Sequence, residues 1–159
     1  MPTHVLFVCL GNICRSPLAE AVFRAKIAEA GLADAFAVDS AGTGSWHVGE
    51  PPDERTRRVA RARGIELART ARQIRRDELD RWDYIVVMDE SNRRDVLSLG
   101  ADPARVVKLR DFDPEGPGDV PDPYYGGLDA FEQVYGIIDR SLDGFLEALR
   151  PSLDPGTGL

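Results

Sequence analysis

The sequence predicts an α/β fold: a single doubly wound domain with a four-stranded parallel sheet flanked by helices on both faces. Three observations carry this. Strand-like apolar runs alternate with helix-like stretches along the chain, the order of consecutive βαβ units. The first run, THVLFV at residues 3–8, is nearly all apolar, as in a strand covered on both faces. The length of 159 residues and the apolar fraction of 43% suit one domain with one core.

The elements follow in order. After the first strand, Pro17 suits the opening turn of a helix whose face is Leu18, Val22 and Ala25 and whose stop is Gly31. Residues 36–40 read as a second strand, closed by Ala41-Gly42-Thr43-Gly44. Asp53 caps an arginine-rich helix over 53–63, which Gly64 ends, and 75–81 is a short helical piece. DYIVVM at 83–88 is the clearest internal strand; 90–99 is a helix and 105–109 a fourth strand. A Pro/Gly/Asp-rich segment, 111–127, is too long for a plain connector, which marks it as functional. The last helix carries Phe131, Val134, Tyr135, Ile138, Leu142, Phe145, Leu146 and Leu149 at spacings of three and four, and Pro151 ends it. The domain is placed at residues 1–151, and 152–159 are expected to form a flexible tail.

Composition narrows the classes of function. No apolar run is long enough to span a bilayer, and residues 5–10 are too short for a signal-peptide core, so a cytoplasmic protein without membrane contact is expected. A net charge of −7 argues against a nucleic-acid binder. The charge is uneven, with ten arginines against four acids over 55–81 and eleven acids against three arginines from 110 onward. These blocks are either solvated helix faces or a field that steers an anionic ligand. Two histidines and no CxxC pair exclude a zinc site, and no metal or cofactor is expected. The chain gives no sign of an extended apolar interface, so a monomer is expected.

The informative stretch is CLGNICRS, residues 9–16, between the first strand and the first helix. Right-handed crossovers put this loop at the carboxyl end of the sheet, where doubly wound folds bind ligands. Residues Leu10, Gly11, Asn12, Ile13 and Cys14 must curl back, turning their N–H groups inward as a cup for an anion. The helix behind adds its positive end. Gly11 and Asn12 are the residues best able to adopt left-handed conformations. Arg15 can grip two oxygens of a tetrahedral anion. The same field favours the thiolate of Cys9, whose free pKa is ~8.5, and Ser16 can donate to the sulfur. Thiolate, cup and arginine describe attack of sulfur on phosphorus. A passive nucleotide loop fits poorly, because GxGxxG and GK[ST] are both missing.

VCLGNICRSPLAE resembles the active-site loop of the low-molecular-weight protein tyrosine phosphatases, with their C-x5-R-[ST] motif. The resemblance extends through VDSAGT at 38–43, GEPPD at 49–53, ARQI at 71–74, DYIVVMDESN at 83–92 and DPYYG at 122–126. It implies that Cys9 is the nucleophile, that Arg15 binds phosphoryl oxygens and that Asp122 is the general acid. Chemistry wants such an acid, because expelling a phenolate without a proton is costly. Near a bound phosphate the Asp122 carboxyl is expected to hold its proton, and in the second step to take one from water. Position alone cannot choose Asp122 over Asp111, Asp113, Glu115 and Asp119; the DPYY context does.

The resemblance further implies that Ser40 pins a left-handed Asn12, although Ser40 also reads as a strand-end turn residue. Trp46, Tyr124 and Tyr125 are implied walls of the slot, where flat rings favour a phenyl substrate, or else partly buried surface aromatics. Asp89 either braces the loop or caps the helix at Glu90. Cys14 either forms a reversible disulfide with Cys9, protecting it from over-oxidation, or is a small packing residue. The positions of Tyr124 and Tyr125 are regulatory phosphorylation sites in some relatives; here the pair either shares that role or only walls the site. Ile13 places an apolar group at the rim, where phosphoarginine-specific relatives have threonine. Arg69 stands where many animal members have a histidine, removing whatever brace that histidine supplies.

The implied activity is hydrolysis of phosphotyrosine in protein substrates, and of small aryl phosphates, with phosphate and other oxyanions as inhibitors. The alternatives are an arsenate reductase, a protein-arginine phosphatase and a non-catalytic phosphotyrosine-binding module. Residues 15–159 hold no cysteine to relay oxidation, which weighs against the reductase.

Overall fold

The computed structural model describes residues 1–153, so the expected tail beyond 153 lies outside the described residues. Four strands, β1 (Thr3–Cys9), β2 (Phe36–Gly42), β3 (Tyr84–Val87) and β4 (Val106–Lys108), form one parallel sheet in the order β2-β1-β3-β4. Four α-helices accompany them: α1 (Arg15–Glu29), α2 (Glu54–Arg61), α3 (Glu90–Leu99) and α4 (Leu128–Leu149). The chain leaves β1 for β2 on one side and crosses back to β3 on the other. The winding direction therefore reverses at β1, and its carboxyl end, Cys9, opens into the crevice between diverging connections.

β1 is buried on both faces, as its unbroken apolar run requires. Val5, Phe7 and Cys9 join the core under α1 and α4, where Phe7, Phe23 and Phe145 meet edge-on or tilted, with centroids 5.6–6.4 Å apart. Leu6 and Val8 face the opposite core with Ile74, Leu79 and Val96. A third cluster, Ile13, Cys14, Val59, Ala71 and Phe131, packs behind the loop that follows β1.

Several local expectations are corrected. α1 begins at Arg15, not Pro17, because Leu18 N–H already donates to the Cys14 carbonyl at 3.3 Å. Pro17 then falls inside the first turn, where its missing N–H costs nothing. The buried stripe of α1 runs through Leu18, Ala19, Val22, Phe23 and Ile27, and Ala25 at its edge is exposed. The 75–81 piece is a 3₁₀ turn, Arg76–Arg81. β4 is only three residues long: Asp111 accepts from Lys108 N–H at 3.1 Å and rolls the chain into a 3₁₀ turn, Leu109–Phe112. After α4, the turn Arg150–Ser152 brings Leu153 against the core.

Candidate active site

The loop between β1 and α1 is built around Asn12, the one non-glycine residue with a left-handed backbone (φ 57°) among the described residues. Its amide nitrogen donates to Ser16 Oγ at 2.8 Å and Ser40 Oγ at 3.1 Å, and its carbonyl oxygen accepts from Arg72 N–H at 3.0 Å. Three fixed partners hold a conformation that costs about 1 kcal/mol or more for a residue with a Cβ. Gly11, expected to be left-handed as well, is not. Its lack of a side chain serves close approach instead, since a Cβ there would lie 2.9 Å from His47 Cδ2.

These bonds form a chain with a fixed polarity. The buried Glu20 carboxylate can only accept, so Ser40 Oγ donates to it at 2.8 Å. Ser40 then accepts from Asn12, and so does Ser16. The Ser16 hydrogen is left for Cys9 Sγ at 3.0 Å, closer than the Ala41 carbonyl at 3.4 Å. Ser16 N–H also points at the sulfur, at 3.4 Å. Glu20 is itself held by Arg24 Nε at 2.9 Å and Arg69 Nε at 3.2 Å. Arg69 reaches Asp39 at 2.5 Å as well, so the position expected to lack a brace is tied to the same network through Glu20.

Backbone N–H groups of Gly11, Asn12, Ile13 and Cys14 find no acceptor among the described residues. A run of unpaired donors beside a helix N-terminus is what an anion satisfies. Beside them lies Arg15, only 2% exposed. Its Nη1 donates to Asp89 Oδ2 at 2.7 Å and to the Val120 carbonyl at 2.9 Å. Burial opposes its charge, but Cys9, Asp89 and Asp122 more than offset that and raise its pKa. Asp89 thus bonds Arg15 with one oxygen, while its other oxygen accepts from Asn92 N–H at 2.8 Å and caps α3.

Asp122 arrives from the long segment after β4. Val120 is fully buried and donates to the Met88 carbonyl at 2.8 Å, tacking the segment to the end of β3. Asp122 follows, its Oδ2 3.6 Å from Arg15 Nη2 and its side chain 43% exposed. Its rivals are committed elsewhere. Asp111 caps the Lys108 turn, Asp119 binds Lys108 Nζ at 2.8 Å, and Asp113 and Glu115 pair with Arg140. Among these acids only Asp122 lines the cleft with Cys9 and Arg15.

The cleft holds about 430 Å³ and is walled by Leu10, Ile13, Cys14, Trp46, His47, Tyr124 and Tyr125. Trp46 and Tyr125 are 73% and 96% exposed, so they stand at the mouth. Tyr124 meets Tyr125 edge-on, with centroids 5.0 Å apart. Ile13 is not at the rim as expected; it is 7% exposed and packs inward against the third cluster. His47 was missed by sequence reasoning. It lies 6.0 Å from the Tyr124 ring and bonds Glu50 at 3.1 Å, and its place beside Trp46 was the available signal. Cys14 packs in the same cluster as Ile13, and burial, with Asp53 and Cys9, pushes its thiol up to about 12. Among the described residues no group of three or more His, Cys, Asp or Glu is arranged to hold a metal.

Comparison with known proteins extends these observations. The family model for low molecular weight phosphotyrosine protein phosphatases matches residues 4–154. The chain is 44% identical over 160 aligned residues to a low molecular weight protein-tyrosine-phosphatase of Streptomyces coelicolor, covering 97% of this chain and 98% of that one. A crystal structure of a protein tyrosine phosphatase from Entamoeba histolytica, with Hepes in its active site, superposes with a TM-score of 0.91 at 36% identity. It covers 94% of this chain and 98% of that one. An arginine phosphatase from Drosophila superposes with a TM-score of 0.85 at 31% identity, over 92% and 97% of the two chains.

Proposed function

The chain belongs to the low molecular weight phosphotyrosine protein phosphatases, and from that membership we propose that it hydrolyses phosphotyrosine monoesters through a cysteinyl-phosphate intermediate. The observation that carries the reading is one cleft holding Cys9, the unpaired N–H groups of residues 11–14, Arg15 and Asp122. The phosphoryl group sits in the N–H cup with two oxygens on Arg15. The Cys9 sulfur attacks phosphorus in line. As the S–P bond forms and the P–O ester bond breaks, Asp122 gives its proton to the leaving phenolic oxygen. Water then attacks phosphorus and loses a proton to Asp122. The P–S bond breaks, inorganic phosphate forms, and the sulfur leaves as a thiolate that accepts from Ser16.

The walls favour an aryl ester. Tyr124, Trp46 and His47 line the cleft with aromatic rings, and Ile13 adds an apolar group to its lining. A guanidinium-borne phosphoryl group finds no carboxylate there beyond Asp122, which weighs against the arginine phosphatase reading. The reductase lacks its relay cysteines, and the non-catalytic module leaves Asp122 without a purpose. Phosphate and other oxyanions compete for the cup. The buried, protonated Cys14 thiol would close slowly onto an oxidised Cys9, which limits rather than forbids the protective disulfide. Two free thiols fit a reducing, cytoplasmic setting, and every group the chemistry needs comes from one chain, as a working monomer requires.

The test is hydrolysis of phosphotyrosine, phosphoserine and phosphoarginine side by side. Phosphotyrosine is turned over fastest, with no loss on adding a chelator. Cys9→Ser abolishes turnover while retaining phosphate binding, and Arg15→Ala loses both. A preference for phosphoarginine, or turnover surviving in Cys9→Ser, would overturn the proposal.

A further inference from the structure

Arg55 lies outside the cleft, but it touches the segment that carries Asp122 and, through Asp53, is tied to the phosphate loop. Its Nε and Nη2 grip the Asp53 carboxylate at 3.0 and 2.9 Å. Asp53 caps α2, and its own N–H donates to the Ile13 carbonyl of the phosphate loop at 2.8 Å. From the other edge of the guanidinium, Nη1 donates to the Gly126 carbonyl at 3.0 Å. The same group lies 4.4 Å from the Phe131 ring centre and 5.7 Å from that of Tyr124.

The segment so gripped carries Asp122. Its entrance is fixed by Val120, but beyond Val120 the chain has few hydrogen bonds. Asp122 accepts from Tyr124 N–H at 3.1 Å and Gly126 N–H closes a turn on the Pro123 carbonyl at 2.8 Å, both within the segment. Among the described residues, the Arg55–Gly126 bond is the one hydrogen bond joining residues 121–126 to an element outside them. Arg15 approaches Asp122 only to 3.6 Å. Pro123 is buried and Tyr124 packs on the third cluster, but packing sets no direction for the partly exposed carboxyl; without the far anchor its aim would loosen.

We propose that Arg55 is a positioning residue for the general acid. It ties the far end of the acid segment to the Asp53 cap and so holds the Asp122 carboxyl at the leaving-group oxygen. A planar fork is needed, because one side chain must bond Asp53 and Gly126 in two directions at once while lying on aromatic rings. The inference rests on the reading of Asp122 as the acid.

The experiment compares kcat/KM for phenyl phosphate, a poor leaving group, with that for 4-nitrophenyl phosphate, an activated one. Wild type, Arg55→Gln, Arg55→Lys, Asp122→Ala and the Asp122→Ala/Arg55→Gln double variant are measured, with inhibition by inorganic phosphate and thermal midpoints alongside. Arg55→Gln is expected to lose roughly tenfold on phenyl phosphate and about twofold or less on the nitrophenyl ester. Phosphate inhibition stays within about twofold of wild type, because the cup is intact. Arg55→Lys, with the charge but no fork, falls between, and carries the test if the Gln variant does not fold. In the Asp122→Ala background, Arg55→Gln adds no leaving-group-dependent loss. Equal loss on both esters, no loss on either, a parallel weakening of phosphate inhibition, or additivity with Asp122→Ala would overturn the role of Arg55. If Asp122→Ala itself loses equally on both esters, the acid assignment fails whatever Arg55 does.

Discussion

Asn12, Ser16 and Cys9 lie within eight residues of one another, and their sequence already proposes what they do. What it leaves open is which way each hydrogen bond runs. The structure answers at both ends: the Ser40 hydroxyl donates to the buried Glu20 carboxylate, the Asn12 amide donates to both serines, and Ser16 is left to donate to the sulfur. Ser16→Ala therefore removes a hydrogen bond to a group that becomes charged when the P–S bond breaks. Turnover is expected to fall roughly 10- to 100-fold, with release of phosphate from the cysteinyl-phosphate slowed most; burst kinetics read this directly. Ser40 was left between two readings by its sequence, pin or turn residue, because its partner Asn12 is 28 positions away. No local pattern encodes that distance.

Among the elements, α4 was the most legible, since its apolar spacing is long and regular. Its two interior glycines are not equivalent, and only packing tells them apart. A Cβ at Gly144 would sit 1.9 Å from the Phe112 carbonyl oxygen, whereas one at Gly136 meets nothing within 4 Å. Gly136→Ala is expected to add about 0.5–1 kcal/mol of stability. Gly144→Ala is expected to remove about 1–3 kcal/mol by pushing α4 off the Leu109–Phe112 turn; urea midpoints distinguish the two. That turn is also pinned by Asp113. Burial would raise its pKa, but bonds from Arg140, Glu115 N–H and Arg110 bring it down to about 2. A folded-state value below the unfolded one stabilises the fold above pH ~4, and that stability is lost as the pH falls from about 4 through about 2. Asp113→Asn is expected to be less stable by roughly 2 kcal/mol at neutral pH and to lack this acid limb in denaturation measured against pH.

For the whole molecule, the cationic block over 55–81 is not a free steering face. Arg55, Arg57, Arg61, Arg63, Arg69, Arg72 and Arg75 all pair with acids, which favours the reading of solvated, salt-bridged surfaces. The positive charge that matters is local: Arg15 and the start of α1 at the switch point of the sheet. Binding there is linked to folding. Inorganic phosphate at a hundred times its Kd is expected to add about 2.7 kcal/mol, a thermal shift of roughly 5–10 °C. Arg15→Ala is expected to show no such shift, which a melting curve with and without phosphate checks.

The strand–loop–helix pattern around residues 9–16 and the alternation that makes a parallel sheet are legible without coordinates. Both are local properties: hydrophobic period, turn residues and a cysteine six positions before an arginine. Which acid lies beside Arg15 and what holds that arginine depend on contacts between distant segments. Arg15 bonds Asp89 and Val120 across 74 and 105 positions of chain. The acids near Asp122 are drawn off elsewhere in the fold, Asp113, Glu115 and Asp119 to cations and Asp111 to the Lys108 N–H, and Asp122 alone of them lines the cleft. Periodicity reports what each residue faces, but not which distant residue meets it there; that pairing exists only once the sheet has brought the carboxyl ends of β1 and β3 side by side.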